Sequence, residues 1–120
     1  MSKSKGSNAE RDLIRRFWAA GSGSMHFPSP DILAGNKIRR LAVEVKITKE
    51  DKKYFPKEEI KQLINFSSYF GAEAWVAVKF PGAEWMFANP EDLDDTGSNY
   101  ILKKESHKGL SFSEVTGNLP

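Results

Sequence analysis

Cysteine is absent from this 120-residue chain, which excludes disulfides, a cysteine nucleophile and thiolate metal sites together. Histidine is nearly absent as well: His26 and His107 stand far apart in sequence, so no zinc site is expected. No apolar run exceeds the five residues from Ala74 to Val78, far short of a bilayer-crossing helix. The N-terminal Ser-Lys-Ser-Lys-Gly-Ser-Asn has no apolar stretch behind its lysines, so no secretory signal is read there and an intracellular protein is expected. What remains is an ordinary balance, 39% hydrophobic and 28% charged, which argues against wholesale disorder. The length suits one domain, residues 1–120, with a single modest core.

Net charge is also small, +2, but it is unevenly spread. Residues 1–61 carry 14 Lys and Arg against 8 Asp and Glu, whereas residues 62–120 carry 4 against 8. A basic half suits a polyanion such as nucleic acid, and equally a solvated lysine-rich surface. Charge alone does not decide between them.

Along the chain, residues 1–6 read as a loose basic terminus and Ser7–Ala20 as a helix. Ser7 and Glu10 have the S-x-x-E spacing of a capping box, and Leu13, Ile14 and Phe17 make an apolar stripe. Gly21 stops the helix, and a Gly/Ser/Pro-rich loop runs to Pro30. Ile32–Ala34 and Arg40–Thr48 flank Gly35-Asn36-Lys37 as a hairpin. Glu50–Tyr54 is charged and reads as loop. Pro56 opens a second helix that runs to Phe70 and ends at Gly71, with Glu58 and Glu59 in its first turn, where the dipole favours acids. Trp75–Phe80 reads as a buried strand and Trp85–Ala88 as its partner, with a helical turn at Pro90. In the polar remainder, 94–120, Tyr100–Lys103 and Leu110–Val115 are weak strands. The order predicts a mixed α/β domain.

Side chains alternate faces along a strand, so Leu41, Val43, Val45 and Ile47 form one apolar face of the second hairpin strand. Ala42, Glu44 and Lys46 form the other, which by itself is compatible with a plain same-face ion pair. Asp31, fixed behind Pro30, begins the preceding strand, and the hairpin carries it toward Glu44 and Lys46. Two neighbouring carboxylates repel unless a cation lies between them, and oxygen ligands without thiol or imidazole suit Mg²⁺ or Mn²⁺. Glu10 shares the helix face of Leu13, Ile14 and Phe17, so it is either a capping residue or a third acid turned to the sheet.

Pro30-Asp31 followed by Glu44-Val45-Lys46 resembles the P-D…E-x-K signature of the restriction-endonuclease-like nuclease superfamily. The surroundings narrow the likeness. Lys5-Gly6-Ser7 with Ala9-Glu10-Arg11, Ala20-Gly21-Ser22-Gly23-Ser24, Pro28-Ser29-Pro30-Asp31-Ile32, Ala34-Gly35-Asn36 and Phe70-Gly71-Ala72-Glu73 together resemble the archaeal-type Holliday junction resolvases, over about residues 3–93. The resemblance implies a central mixed β-sheet flanked by helices. It implies a homodimeric, Mg²⁺-dependent endonuclease, Mn²⁺ substituting, that nicks two opposed strands of four-way junction DNA in the cytoplasm. Glu10, Asp31 and Glu44 would then be the active-site acids, the Val45 carbonyl a further metal ligand, and Lys46 the catalytic lysine. Lys3, Lys5, Arg11, Ser24 and Lys79 would contact DNA, and Phe66 and Phe70 would lie at the dimer interface.

In one place the chain departs from the family pattern. Trp18-Ala19-Ala20 runs directly into Gly21-Ser22, where an apolar strand with a basic residue is expected. Gly21 to Pro30 can still span roughly 33 Å if extended, so the first strand is expected to be abridged to Met25-His26-Phe27. On the second helix, Ile60, Leu63, Ile64 and Ser67 fill one stripe, and Phe66, Tyr69 and Phe70 a second one displaced around it. So wide an apolar surface calls for a second partner or a deep core. Two other functions fit the same residues: a restriction-like or repair nuclease acting on duplex DNA, and a non-catalytic DNA-binding module of the same fold.

Overall fold

The computed structural model describes residues 2–26 and 30–117, with side chains from Asn8 onward. Helix α1 (Ser2–Ala19) precedes strands β1 (Gly23–His26), β2 (Ile32–Gly35), β3 (Arg40–Ile47) and β4 (Lys52–Pro56). Helix α2 (Lys57–Phe70) follows, then β5 (Glu73–Lys79), β6 (Trp85–Ala88) and a 3₁₀ turn at Pro90–Asp92. The chain closes with β7 (Asp94–Asp95), β8 (Asn99–Lys103), β9 (Leu110–Ser111) and α3 (Phe112–Thr116). The main sheet has the order β1-β2-β3-β5-β6-β9, and β4, β8 and β7 form a smaller one. Among the described residues only the β3–β5 pairing in the main sheet is parallel, with α2 as the helical part of the crossover. The expected mixed sheet between helices is the observed architecture.

The alternation of β3 divides the core. Leu41, Val43 and Val45 pack with Leu13 and Phe17 of α1 and with Trp75, Ala77 and Phe87. Ala42 faces the other way, onto Ile60 and Leu63 of α2 and onto Phe55, Val76, Val78 and Leu102. Glu44 and Lys46, two and four residues beyond Ala42, therefore project on the α2 side of the sheet.

Four local expectations change. α1 begins at Ser2, not Ser7, so residues 2–6 are helical backbone and not a loose terminus. One glycine in a helix costs only about 1 kcal/mol, too little for Gly6 to stop it, and Ser7 is therefore no N-cap. Of the segment read as a charged loop, Glu50–Tyr54, the part from Lys52 on belongs to strand β4, because Phe55 is fully buried and Tyr54 pairs with Ile101 of β8. Leu110–Val115 is a two-residue strand followed by α3, where Ser111 and Glu114 form the reciprocal capping box. Ile64, expected in the buried stripe of α2, is 45% exposed, whereas Ile60, Leu63 and Ser67 are buried. The abridged first strand is present as Gly23–His26; Phe27 lies outside the described residues.

Arg39, just before β3, ties the C-terminal helix to the sheet. Its Nε and Nη2 donate to both carboxylate oxygens of Glu73 at 2.7 and 2.8 Å, and its Nη1 donates to the Val115 carbonyl. The guanidinium, helped by the Trp75 indole N–H, holds the Glu73 carboxyl below its ordinary pKa. A lowered folded-state pKa gives stability that is present above the unfolded value, near 4.3, and is lost as pH falls through the folded one. Glu73→Gln is thus expected to cost about 1 kcal/mol at neutral pH, discounted for its partial exposure. The difference in melting temperature from wild type should hold between pH 6 and 8 and close below about pH 4. A gap unchanged at acid pH would mean that the pair contributes nothing through its charge.

Candidate active site

The β2–β3 hairpin is closed by Asn36, whose Oδ1 accepts from the Ile38 and Arg39 amides at 2.8 and 2.9 Å. That turn fixes the register Ile32↔Val43, which sets Asp31 opposite Glu44 on the α2 side. Pro30 is buried at the entry to β2. Asp31 Oδ2 accepts from the Val45 amide at 2.8 Å, which anchors this carboxylate to the β3 backbone.

Glu44 is nearly buried, and its carboxyl pKa is pushed up to about 7. Burial is the largest cause, followed by the negative charges of Asp31 and Glu59, against which Lys46 pulls the other way. Lys46 Nζ lies 3.5 Å from Glu44 Oε2 and 3.0 Å from Glu59 Oε2. Burial opposes the ammonium charge, but the hydrogen bond and charge of Glu59, with Glu44 and Asp31, outweigh it and raise the Lys46 pKa. Among the described residues the site gathers three acids, Asp31, Glu44 and Glu59, around the Lys46 ammonium, so its charge is incompletely balanced.

Glu59 was missed as a site residue by sequence reasoning, which read it as a helix-dipole acid. The available signal was its place: α2 covers the face of β3 that bears Ala42, Glu44 and Lys46, and Glu59 lies next to the buried Ile60 in the first turn.

The other expected residues are placed as follows. Glu10 projects from α1, on the opposite side of the sheet, and its Oε2 lies 3.2 Å from His26 Nδ1. It is no capping-box acid, since Ser7 lies inside α1, and among the described residues no group of three or more His, Cys, Asp or Glu is poised to hold a metal. Arg11 is exposed and donates to Asn8. Ser24 Oγ donates to the Ile14 carbonyl, while its own carbonyl accepts from the Trp18 indole, so Ser24 locks β1 to α1. Lys79 Nζ donates to the Ala83 carbonyl across the β5–β6 turn. Lys3 and Lys5 lie on the first turns of α1. Phe66 and Phe70 stack with centroids 5.2 Å apart and planes at 18°.

Two neighbouring carboxylates, one held partly protonated by burial and charge, fit a hard divalent cation. Mg²⁺ is commonly held by one or two carboxylates plus water and phosphate oxygens, so a third protein acid is not required.

A family model described as archaeal Holliday junction resolvase matches residues 1–119. The chain is 42% identical to the crossover junction endodeoxyribonuclease Hjc of Archaeoglobus fulgidus, over 96% of this chain and 91% of that one. It is 37% identical to the protein of that name from Methanocaldococcus jannaschii, over 94% and 87% of the two chains. The solved structure of Archaeoglobus fulgidus Hjc, described as a Holliday junction resolvase, superposes with a TM-score of 0.87 at 43% identity, covering 94% of this chain and 96% of that one.

Proposed function

This chain belongs to the archaeal Holliday junction resolvase family, and on that premise we propose that Asp31, Glu44 and Lys46 cut four-way DNA junctions by cation-dependent phosphodiester hydrolysis. The observation that carries the reading is the closeness of Asp31, just before β2, to Glu44 of β3, which the register Ile32↔Val43 sets up and their mutual charge interaction marks, with the Lys46 ammonium 3.5 Å from Glu44.

Asp31, Glu44 and the Val45 carbonyl would hold Mg²⁺, or Mn²⁺ in its place. Such an ion, when bound, supplies positive charge to a phosphate oxygen and acidifies a nearby water. The side chains do the rest. Asp31 is fixed by the Val45 amide, so its geometry is set before substrate arrives. Lys46 orients the attacking water and offsets charge on the pentavalent phosphate. Glu10, which pairs with His26 on the α1 side, would join only by releasing His26 and reaching past the end of β2. Lys3, Lys5, Arg11 and Lys79 contact phosphates, and Ser24 holds the α1–β1 edge that borders the DNA. The work takes place on DNA inside the cell; among the described residues no helix is long and apolar enough to span a membrane.

A resolvase needs two cuts at a fixed spacing, which a two-fold dimer supplies with the same patch on both chains. The exposed side of α2 fits that role. Tyr69 is 93% exposed, Phe70 50% and Ile64 45%. Phe70 also borders an open cavity of about 440 Å³ lined by Trp18, Met25, Leu33 and Leu41, among others. Replacing Phe66 and Phe70 together with polar residues should give monomers that bind and nick junctions without pairing the cuts. Sedimentation at micromolar concentration checks this: a monomeric wild type, or a double variant that stays dimeric, would remove the interface.

Side-by-side incubation with a synthetic four-way junction and a linear duplex of the same arms, with and without Mg²⁺, tests the reading. Cutting of the junction alone, and only with the ion, is the expected result. Equal cutting of both would make the protein a duplex nuclease, and binding without cutting a non-catalytic module.

A further inference from the structure

The geometry points to Glu59 as the positioning residue for Lys46, a role that rests on the catalytic reading of Lys46 given above. A lysine has four rotatable side-chain bonds and no fixed direction of its own, so a catalytic ammonium must be aimed by its neighbours. Lys46 Nζ donates to Glu59 Oε2 at 3.0 Å and lies 3.5 Å from Glu44 Oε2. Of the two, Glu44 is the acid that would turn to a cation, which leaves Glu59 as the anchor during the reaction. An ammonium has three donors, so bonds to both acids still leave one for a water or a phosphate oxygen.

Glu59 is built to hold rather than to yield. Ile60, next to it, is 1% exposed and Leu63 is 2% exposed against the β3–β5 face, so the first turn of α2 cannot drift from the sheet without opening the core. The carboxylate is also oriented at a cost. Glu59 Oε1 is buried with no hydrogen-bond partner among the described residues. An acid in the first turn of a helix ordinarily turns to free amides or to water. Here one oxygen gives up both while the other holds the lysine, so its orientation is set by Lys46. A surface ion pair kept for stability alone has no reason to bury an unpaired carboxylate oxygen.

Single-turnover cleavage of a synthetic four-way junction with saturating Mg²⁺ tests the assignment. Glu59→Ala should slow cleavage of bound junction roughly 10- to 100-fold, with junction affinity within about 2-fold of wild type, because Glu59 acts on the reaction and not on docking. Glu59→Gln keeps an oxygen acceptor for Nζ and should recover part of the rate. It also preserves shape, so it remains informative where the alanine variant folds poorly. In a Lys46→Ala background the Glu59→Ala change should cost less than about 2-fold, since residues that act through one another are not additive.

Wild-type rates for Glu59→Ala would overturn the proposal, as would a full additional loss in the Lys46→Ala background. A rate restored by Mg²⁺ above the level that saturates the wild type would also overturn it, by making Glu59 a cation site rather than an anchor. Wild-type cleavage by Lys46→Ala itself would bring down the lysine assignment and Glu59 with it. A normal loss in Lys46→Ala beside a neutral Glu59→Ala would remove Glu59 alone.

Discussion

Asp31→Asn and Glu44→Gln are each expected to lower junction cleavage by roughly 10³-fold while leaving affinity unchanged or higher. The substitutions keep size and shape and remove only charge. In Asp31→Asn the amide oxygen can still accept from the Val45 N–H, which now binds Oδ2 at 2.8 Å, so the hairpin should hold. Each variant lacks one of the two acids that would bind the cation, and repulsion between the site and the phosphate backbone falls. Glu44→Gln adds a control on folding. Its carboxyl is raised to about 7 by burial and by Asp31 and Glu59, so in the cation-free protein ionised Glu44 opposes folding. For an acid with a raised folded pKa, stability falls as pH rises through the window from about 4.5 to 7. Glu44→Gln should therefore melt at or above the wild-type temperature at pH 8 without Mg²⁺, and its inactivity would not reflect unfolding. Cleavage by either variant near the wild-type rate at ordinary Mg²⁺ would remove the assignment of these acids.

Lys46→Ala is expected to slow cleavage of bound junction by roughly 10²- to 10³-fold, with only a small loss of affinity. A junction is held through many phosphate contacts, of which one lysine is a minor share. The same group, placed at the reacting phosphate as proposed, would offset charge that develops only in the transition state, so its removal should fall on the rate rather than on binding. The variant also leaves Glu44 and Glu59 without the cation now 3.5 and 3.0 Å away. Its melting temperature in the absence of Mg²⁺ should drop as pH rises from 6 to 8, more steeply than that of wild type. Rates are compared at saturating protein. A large affinity loss with normal turnover of bound junction would make Lys46 a docking residue.

The heart of the site was legible because it is local. A hairpin with Gly-Asn at its turn, read with two-residue alternation, places Asp31 across from Glu44 and sets Lys46 on the same face, as in the register Ile32↔Val43. The second helix was legible for a similar reason: Pro56 precedes it, and Gly71, at φ 77°, ends it in the left-handed conformation that glycine tolerates. What was not legible depends on pairing between distant segments. Strand β4 exists because β8, some fifty residues on, supplies its ladder, and lysines at its start mask the one buried side chain, Phe55. Glu59 is thirteen residues from Lys46 in sequence, and only the stacking of α2 on β3 brings them together. Glu10 shares its stripe with Leu13, but a helical stripe specifies a face of the sheet and not the end or side chain it meets. That partner is His26, in the abridged first strand. The capping signature misled at Ser7, where helical residues precede it, and was passed over at Ser111 and Glu114, read as strand, where the extended Ser111 backbone leaves amides to cap.

The most direct measurement is cleavage of a supercoiled plasmid carrying an inverted repeat that extrudes as a four-way junction, followed by gel separation of nicked and linear forms. Two active sites held at fixed spacing by a dimer should convert supercoiled plasmid to the linear form with little nicked circle accumulating, only when Mg²⁺ is present, and not when the inverted repeat is deleted. Accumulation of nicked circle as the main product, or equal cutting of the plasmid without the repeat, would contradict the account.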